Sequence, residues 1–249
     1  MALEFHFSEL IEEVNAMARM ANRFVTADSQ LVFEELVRSL SGIQAARTER
    51  VFQWEIRRDH PIRTVRSAGE YERDGGGGHT VYAEITSIWQ IAPIAPRRRA
   101  HPWQKFVLAG LASSVVRILA EGKHGARELA MWRMEIADDQ GPGCYFHVQL
   151  RGEGPEPPFP KSMSVPRLPT LPVTPVAALE FVLGELFQDR WGPEGLARED
   201  DNLRRWRAIQ TKRLERFLAW QQAEVQRDGA LGSPWIRLKR LKPEAGLFI

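Results

Sequence analysis

The stretch ELAMWRMEIADDQGPGCYFHVQL, residues 128–150, decides the fold class. Met131, Arg133 and Glu135 alternate with Trp132, Met134 and Ile136, the period of two that a half-buried strand requires. The same alternation returns as Tyr145, His147 and Gln149 against Phe146, Val148 and Leu150. Between them, Asp138 to Gly143 is an acidic Gly-Pro turn. The pattern predicts a hairpin of strands Leu129–Ala137 and Cys144–Leu150, its apolar set facing a core and His147 on the opposite face with Gln149. Seven prolines and two glycines in residues 151–172 predict a stiff, extended crossing. Thr174 followed by Pro175 then opens a helix, because a proline at the first helical position loses no hydrogen bond. Ala177, Ala178, Phe181, Val182, Leu186 and Phe187 are its expected buried side, and Trp191-Gly192-Pro193 ends it.

Upstream, the periodicity predicts two helices and then strands. Ser8 is the expected N-cap of the first helix, with Leu10, Ile11, Val14, Met17 and Ala21 on one face. Asp28 or Ser29 is expected to cap the second, which carries Leu31, Val32, Leu36, Val37 and Leu40 and frays near Gly42. Val51–Arg58, Arg63–Arg73 and His79–Ile91 read as a three-stranded antiparallel meander, the last two joined by the glycine-rich turn Asp74–Gly78. Those glycines are no phosphate loop, since no Gly-Lys-Ser/Thr follows and they run into a strand. Prolines 93, 96 and 102 predict a surface loop. From Trp103 through Phe106, Val107, Leu111, Val115, Ile118 and Leu119 a helix is expected, closed by Gly122.

Hydrophobic residues make up 43% of the 249 and charged ones 27%, ordinary globular values. No apolar run approaches the ~18 residues of a membrane span. The sequence Met-Ala-Leu-Glu-Phe-His lacks a basic segment followed by an apolar one, so no secretory signal is expected there. The lone Cys144 makes no internal disulfide and fits a reducing cytoplasm. The net charge of +2 is uneven: residues 196–249 carry 12 basic and 7 acidic side chains. Two basic regions follow. One is the loop with Arg97, Arg98, Arg99 and Lys105 beside Trp103, an arrangement that suits charge against a phosphate backbone and a ring against a base. The other is an expected long helix bearing Arg204, Arg205, Arg207, Lys212, Arg213 and Arg216, followed by Arg237, Lys239 and Arg240 in an apolar-ended tail.

Catalytic signatures are missing from the sequence. There is no His-Glu-x-x-His, no His-x-His, no cysteine pair and no Gly-x-Ser-x-Gly. His6-Phe7-Ser8 supplies only one half of a two-histidine phosphoesterase pair. The best carboxylate group is Glu55, Glu70, Glu72 and Glu84 on the expected meander. With His147 it gives an alternative reading as a metal-dependent nuclease or other hydrolase, using His147, Glu70 and Glu84.

The order of a strand with a histidine, a proline-rich crossing and a Thr-Pro helix is carried by Trp132, His147, Val165-Pro166, Thr174-Pro175 and Phe187. It resembles a family of uncharacterised bacterial proteins that sometimes neighbour mobile-element or phage-defence genes. The resemblance spans about a quarter of the chain and implies a setting, not an activity. The sequence thus predicts an α+β protein, an antiparallel sheet of about five strands with helices on one face. It divides into an α+β domain over 1–192 and a basic helical region with a tail over 193–249. Its expected function is that of a non-catalytic binding subunit of a bacterial protein or nucleoprotein assembly, without cofactor or membrane, its partners a protein assembly and RNA or DNA.

Overall fold

The computed structural model describes residues 3–67, 80–97, 102–122, 125–136, 146–151, 168–197 and 200–226. Its spine is β5 (Lys105–Gly122), an 18-residue strand where the sequence predicted a helix. Phe106, Leu108, Ala112, Ser114, Val116 and Ala120 are buried, so the alternate positions carry the core face. Local pattern fits either form here, because apolar residues also fall at helical spacing. Tertiary pairing decides it. β4 (Val81–Ile94) hydrogen-bonds along one side of β5, and β6 (Gly125–Ile136) with β1 (Glu4–His6) along the other. A strand with partners on both sides satisfies every backbone group that a helix would satisfy internally.

Around this spine the antiparallel order is β2 (Phe52–Ile56), β4, β5, β6, β7 (Phe146–Arg151) and β8 (Leu168–Pro169). β3 (Ile62–Arg63) also pairs β4. The expected meander is therefore corrected. β2 and β3 lie one behind the other on the same edge of β4, as one strand broken by the loop at Arg57–Pro61. Beyond β3 the predicted second strand continues only in isolated links among the described residues, the Thr64 N–H donating to the Ala83 carbonyl at 2.9 Å, Thr64 bridging Val25 and Ser67 bridging Val81, and residues 68–79 lie outside the described ones. β4 also runs through Pro93, paired with Phe106, where a loop was expected. Pairing to β2 ends at Ile91, so Pro93 sits where β4 is an edge, the place a sheet tolerates proline. β6 and β7 pair antiparallel as read, with Trp132 opposite Leu150 and Glu135 opposite His147, β6 starting at Gly125 rather than Leu129; the expected turn falls in residues 137–145, outside the described ones.

The helices cover one face of the sheet. α1 (Phe7–Met20) starts one residue before Ser8, with His6 as its N-cap. α2 (Ala27–Ala45) follows Thr26 and passes straight through Gly42. Ser29, an expected cap, instead bonds β3: its Oγ donates to the Arg63 carbonyl at 3.0 Å and accepts from the Arg63 N–H at 2.8 Å. α3 (Pro175–Leu186) begins as the sequence predicts, Thr174 Oγ1 accepting from the Ala177 N–H at 3.1 Å. Phe181, expected inside, is 62% exposed, because the stripe Val176, Leu179, Leu183 and Leu186 takes the core side. A short helical turn α4 (Gln188–Arg190) leads into a π-helical turn at Trp191–Leu196 and then α5 (Asp201–Gln226).

Aromatic side chains join the layers. Trp54 meets Trp89 at 5.6 Å and donates its indole N–H to the Leu36 carbonyl at 3.2 Å, fixing α2 to the sheet. Phe5 lies 5.5 Å from Trp89 and 5.4 Å from Phe106. Leu203, Trp206 and Phe217 of α5 belong to this same core, and the expected boundary at 192–193 falls inside the π-helical turn. Among the described residues no helix is long and apolar enough to cross a membrane. The chain is α+β, with helices on one face of an antiparallel sheet that counts eight strands among the described residues, more than the five expected because β1, β3 and β8 are short additions at its edges.

Candidate functional site

Register fixes which side chains share the sheet face away from the helices. Arg63, Glu84, Arg117 and Met131 form one row across β3 to β6. Thr86, Val115, Arg133 and Gln149 form the next, and Glu55, Ile88, Ser113, Glu135 and His147 the third. His147 is 1% exposed, not displayed on a solvated face as expected, while Leu150 on the other side is 44% exposed. Its Nε2 lies 3.1 Å from Glu135 Oε2, with Gln149 Nε2 at 3.4 Å. Glu84 is buried and paired to two guanidiniums, Arg63 and Arg117. One row and two strands lie between Glu84 and His147, so these two members of the alternative hydrolase site do not meet. The third, Glu70, lies outside the described residues, as do Glu72 and Cys144. No group of three metal-binding side chains occurs among the described residues.

The basic residues of α5 divide sharply. Arg213 is not on a docking surface: it is 5% exposed and grips the fully buried Glu13 of α1 with both terminal nitrogens, each at 2.8 Å. Glu13 Oε1 also accepts from Gln210 at 2.9 Å and from the Thr174 hydroxyl at 2.5 Å. One carboxylate thus joins α1, α5 and the cap of α3. Arg204 pairs with Asp201 on its own helix, and Arg207 donates to the Leu196 carbonyl at 3.4 Å. Arg205 is exposed, and Lys212 reaches Glu9 of α1. Arg98, Arg99, Arg237, Lys239 and Arg240 lie outside the described residues.

What the sequence did not reveal is where the two basic regions meet. His6 ends β1 directly opposite Lys105, the first residue of β5. Because α5 packs along α1, Lys212 and Arg216 come within electrostatic reach of the same imidazole, together with Glu9. Burial lowers the His6 pKa first; Glu9 opposes this, and Lys105, Lys212 and Arg216 add to it. Beside His6 a cavity of about 580 Å³ is lined by Glu4, Arg97, Gln104 and Lys105. Lys105 Nζ stands 3.2 Å from Glu4. Trp103 is half-buried, its carbonyl accepting from Gln44 at 2.6 Å, and it does not line that cavity. The charged neighbours of His6 are thus three cations, Lys105, Lys212 and Arg216, and one acid, Glu9, while Arg97 lines the cavity with Lys105 and Glu4. No periodicity could have flagged His6, whose neighbours are about 100 and 200 positions away. Arg98 and Arg99 adjoin Arg97 in sequence. No protein-family model, curated protein or solved structure matches this chain.

Proposed function

We propose that the chain is a non-catalytic binding subunit that seats an anionic polymer, RNA or DNA within a nucleoprotein assembly, on the surface around His6. One observation carries the reading: basic residues from the start of β5 and from the middle of α5 converge on His6. A surface drawn from two distant segments is more than the solvated face of one helix. Phosphates approaching it meet guanidinium and ammonium donors, and the partial pairing to Glu4 and Glu9 holds those side chains in place. Its setting in bacterial defence against mobile elements rests on the resemblance alone.

Salt dependence tests it. Single-stranded RNA binding, followed by fluorescence anisotropy, is expected to weaken linearly in log–log form as salt rises. Each neutralised phosphate contributes about 0.7 to the slope for a single strand. The pair Lys105→Glu and Arg216→Glu is expected to lower the slope by roughly 1.4 on that basis. Absence of binding at low salt, or an unchanged slope in the double variant, refutes the proposal. Capture of the tagged chain from its own cell, with and without nuclease treatment, then identifies the assembly.

A further inference from the structure

The corner of the sheet beside His6 holds a cavity as well as a charge. Phe5, Pro93 and Phe106 are buried there, so the residues that alternate with them along β1, β4 and β5 face away from the core. These are Glu4, Ile94 and Lys105, and all three line the cavity of about 580 Å³. The chain leaving β4 adds Ala95, Pro96 and Arg97 to the lining, and the chain entering β5 adds Pro102 and Gln104. A volume of that size lies within the ~300–1,000 Å³ of small-molecule pockets.

Its lining is of three kinds. Ile94, Ala95, Pro96 and Pro102 are apolar, and the two prolines, with fixed φ and no N–H, keep their shape and offer no donor. Sides of that sort accept the face of a planar ring. Arg97 and Lys105 bring positive charge to the same cavity. Glu4 is the group that phosphate binding does not explain, since a carboxylate is an acceptor only and repels an anion. Its Oε2 is held 3.2 Å from Lys105 Nζ, and its side chain is only 22% exposed. An acceptor fixed inside a basic cavity asks for donors on the ligand. Guanine has two side by side, N1–H and the N2 amino group, to match two carboxylate oxygens. Uracil has one N–H between two carbonyls, which the carboxylate repels. In a duplex these edges are paired and the ring faces stacked, so a paired base cannot enter.

We infer that the cavity takes one unstacked base of the bound strand, guanine before uracil. Glu4 meets its Watson–Crick edge, Pro96 and Pro102 its ring, and Arg97 and Lys105 the flanking phosphates. The inference rests on the nucleic-acid reading of the surface around His6. It adds that the strand is single and that the contact reads a base. No bond is made or broken.

Fluorescence anisotropy at fixed salt tests it with RNA strands of about nine uridines whose central residue is guanosine, uridine or an abasic sugar. A duplex of the guanosine strand is the fourth ligand. Stacking of a base and a bidentate contact to its edge are each worth about tenfold in affinity. The guanosine strand is therefore expected to bind about tenfold tighter than the uridine strand, and tighter still than the abasic one. It is also expected to outbind the duplex, although a face that reads charge alone favours the denser phosphates of a duplex. Ala95→Trp fills the cavity from an exposed position and keeps every charge, and it is expected to bring the three single strands to one affinity. Glu4→Gln is expected to reduce the preference for guanosine over uridine. Because it removes an acid, it should leave the abasic strand bound as tightly as before or tighter, an outcome that a merely structural pair with Lys105 does not give. Equal binding of the guanosine strand and either other strand, tighter binding of the duplex, or native discrimination in a folded Ala95→Trp overturns the inference. Should Ala95→Trp fail to fold, the native ratios and Glu4→Gln decide. If no strand binds at low salt the nucleic-acid reading falls as well, whereas equal binding of all strands removes the base pocket alone.

Discussion

Replacing Glu13 with alanine removes the one group that ties three helices together. The native carboxylate accepts two bonds from Arg213, one from Gln210 and one from Thr174, all within 2.9 Å. Its loss leaves the Arg213 guanidinium, 5% exposed, in the core without its acid. Breaking a buried pair from one side costs about 3–5 kcal/mol, far more than the pair is worth intact, because the survivor keeps its desolvation penalty. Thr174 still accepts from Ala177, so the α3 cap persists and adds little to this cost. Against a total stability of about 5–15 kcal/mol, the variant stands near the edge of folding. In urea, with a slope of about 3 kcal/mol/M for a chain of this size, the midpoint is expected to fall by roughly 1–1.7 M. The double variant Glu13→Met, Arg213→Leu removes both charges and fills the space. It is expected to recover to within about 1 kcal/mol of the native chain, since apolar replacements of buried pairs are neutral or stabilising. A Glu13→Ala cost below about 1 kcal/mol, or a double variant as unstable as the two single ones summed, refutes this account.

Gly195→Ala places a Cβ 2.4–2.9 Å from three ring carbons of Trp191, which is buried and set edge-on against Phe24 at 5.3 Å. The rigid indole cannot yield, so a loss of about 3 kcal/mol and a melting temperature lower by roughly 6–12 °C are expected by calorimetry. Burial raises the Glu180 pKa; the Trp206 indole N–H, 2.9 Å away, and Arg207 oppose the shift, and Glu13 adds to it. A carboxyl raised in the folded state lags the unfolded chain in ionising, so stability falls as pH rises from the unfolded pKa through the folded one. Glu180→Gln keeps an acceptor for Trp206 and is expected to flatten that part of the stability–pH curve and to be the more stable protein at pH 7. An unchanged curve in chemical denaturation across pH 4–7 refutes the assignment.

The sequence revealed those parts of the fold in which local pattern and tertiary burial agree. The pairing of β6 with β7 was legible because the two segments lie close in sequence and each alternates with the period of a strand. The start of α3 was legible because Thr174 and Pro175 act through their own backbone within one turn. β5 was not legible. Its apolar residues lie on both faces, since Phe106 and Val116 enter the core while Leu111 and Val115 stand on the sheet face away from the helices, and such a run satisfies the helical period as well as the strand's. Only pairing with β4, whose residues precede it, and β6, whose residues follow it, settles the matter.

Charge was harder to read than shape, for a physical reason. Arg205 and Arg213 lie on one helix and look alike in sequence, yet one is solvated and the other is buried. The period of α5 separates them, since Arg213 falls on the buried seam of Leu203, Trp206, Ile209 and Phe217 and Arg205 does not; what α5 does not encode is the acid that makes the burial tolerable, Glu13, two hundred positions earlier. The same packing of α1 on α5 that removes Arg213 from the surface brings Lys212 and Arg216 to His6. A buried pair therefore builds the site by spending one of its own cations, and the two roles are coupled. It follows that a folded chain bearing the charge-free core of Glu13→Met and Arg213→Leu should keep its RNA affinity. The partly destabilised Glu13→Ala should lose affinity as α5 loosens from α1. If both variants bound alike, His6 would owe its basic surroundings to something other than the packing of these two helices.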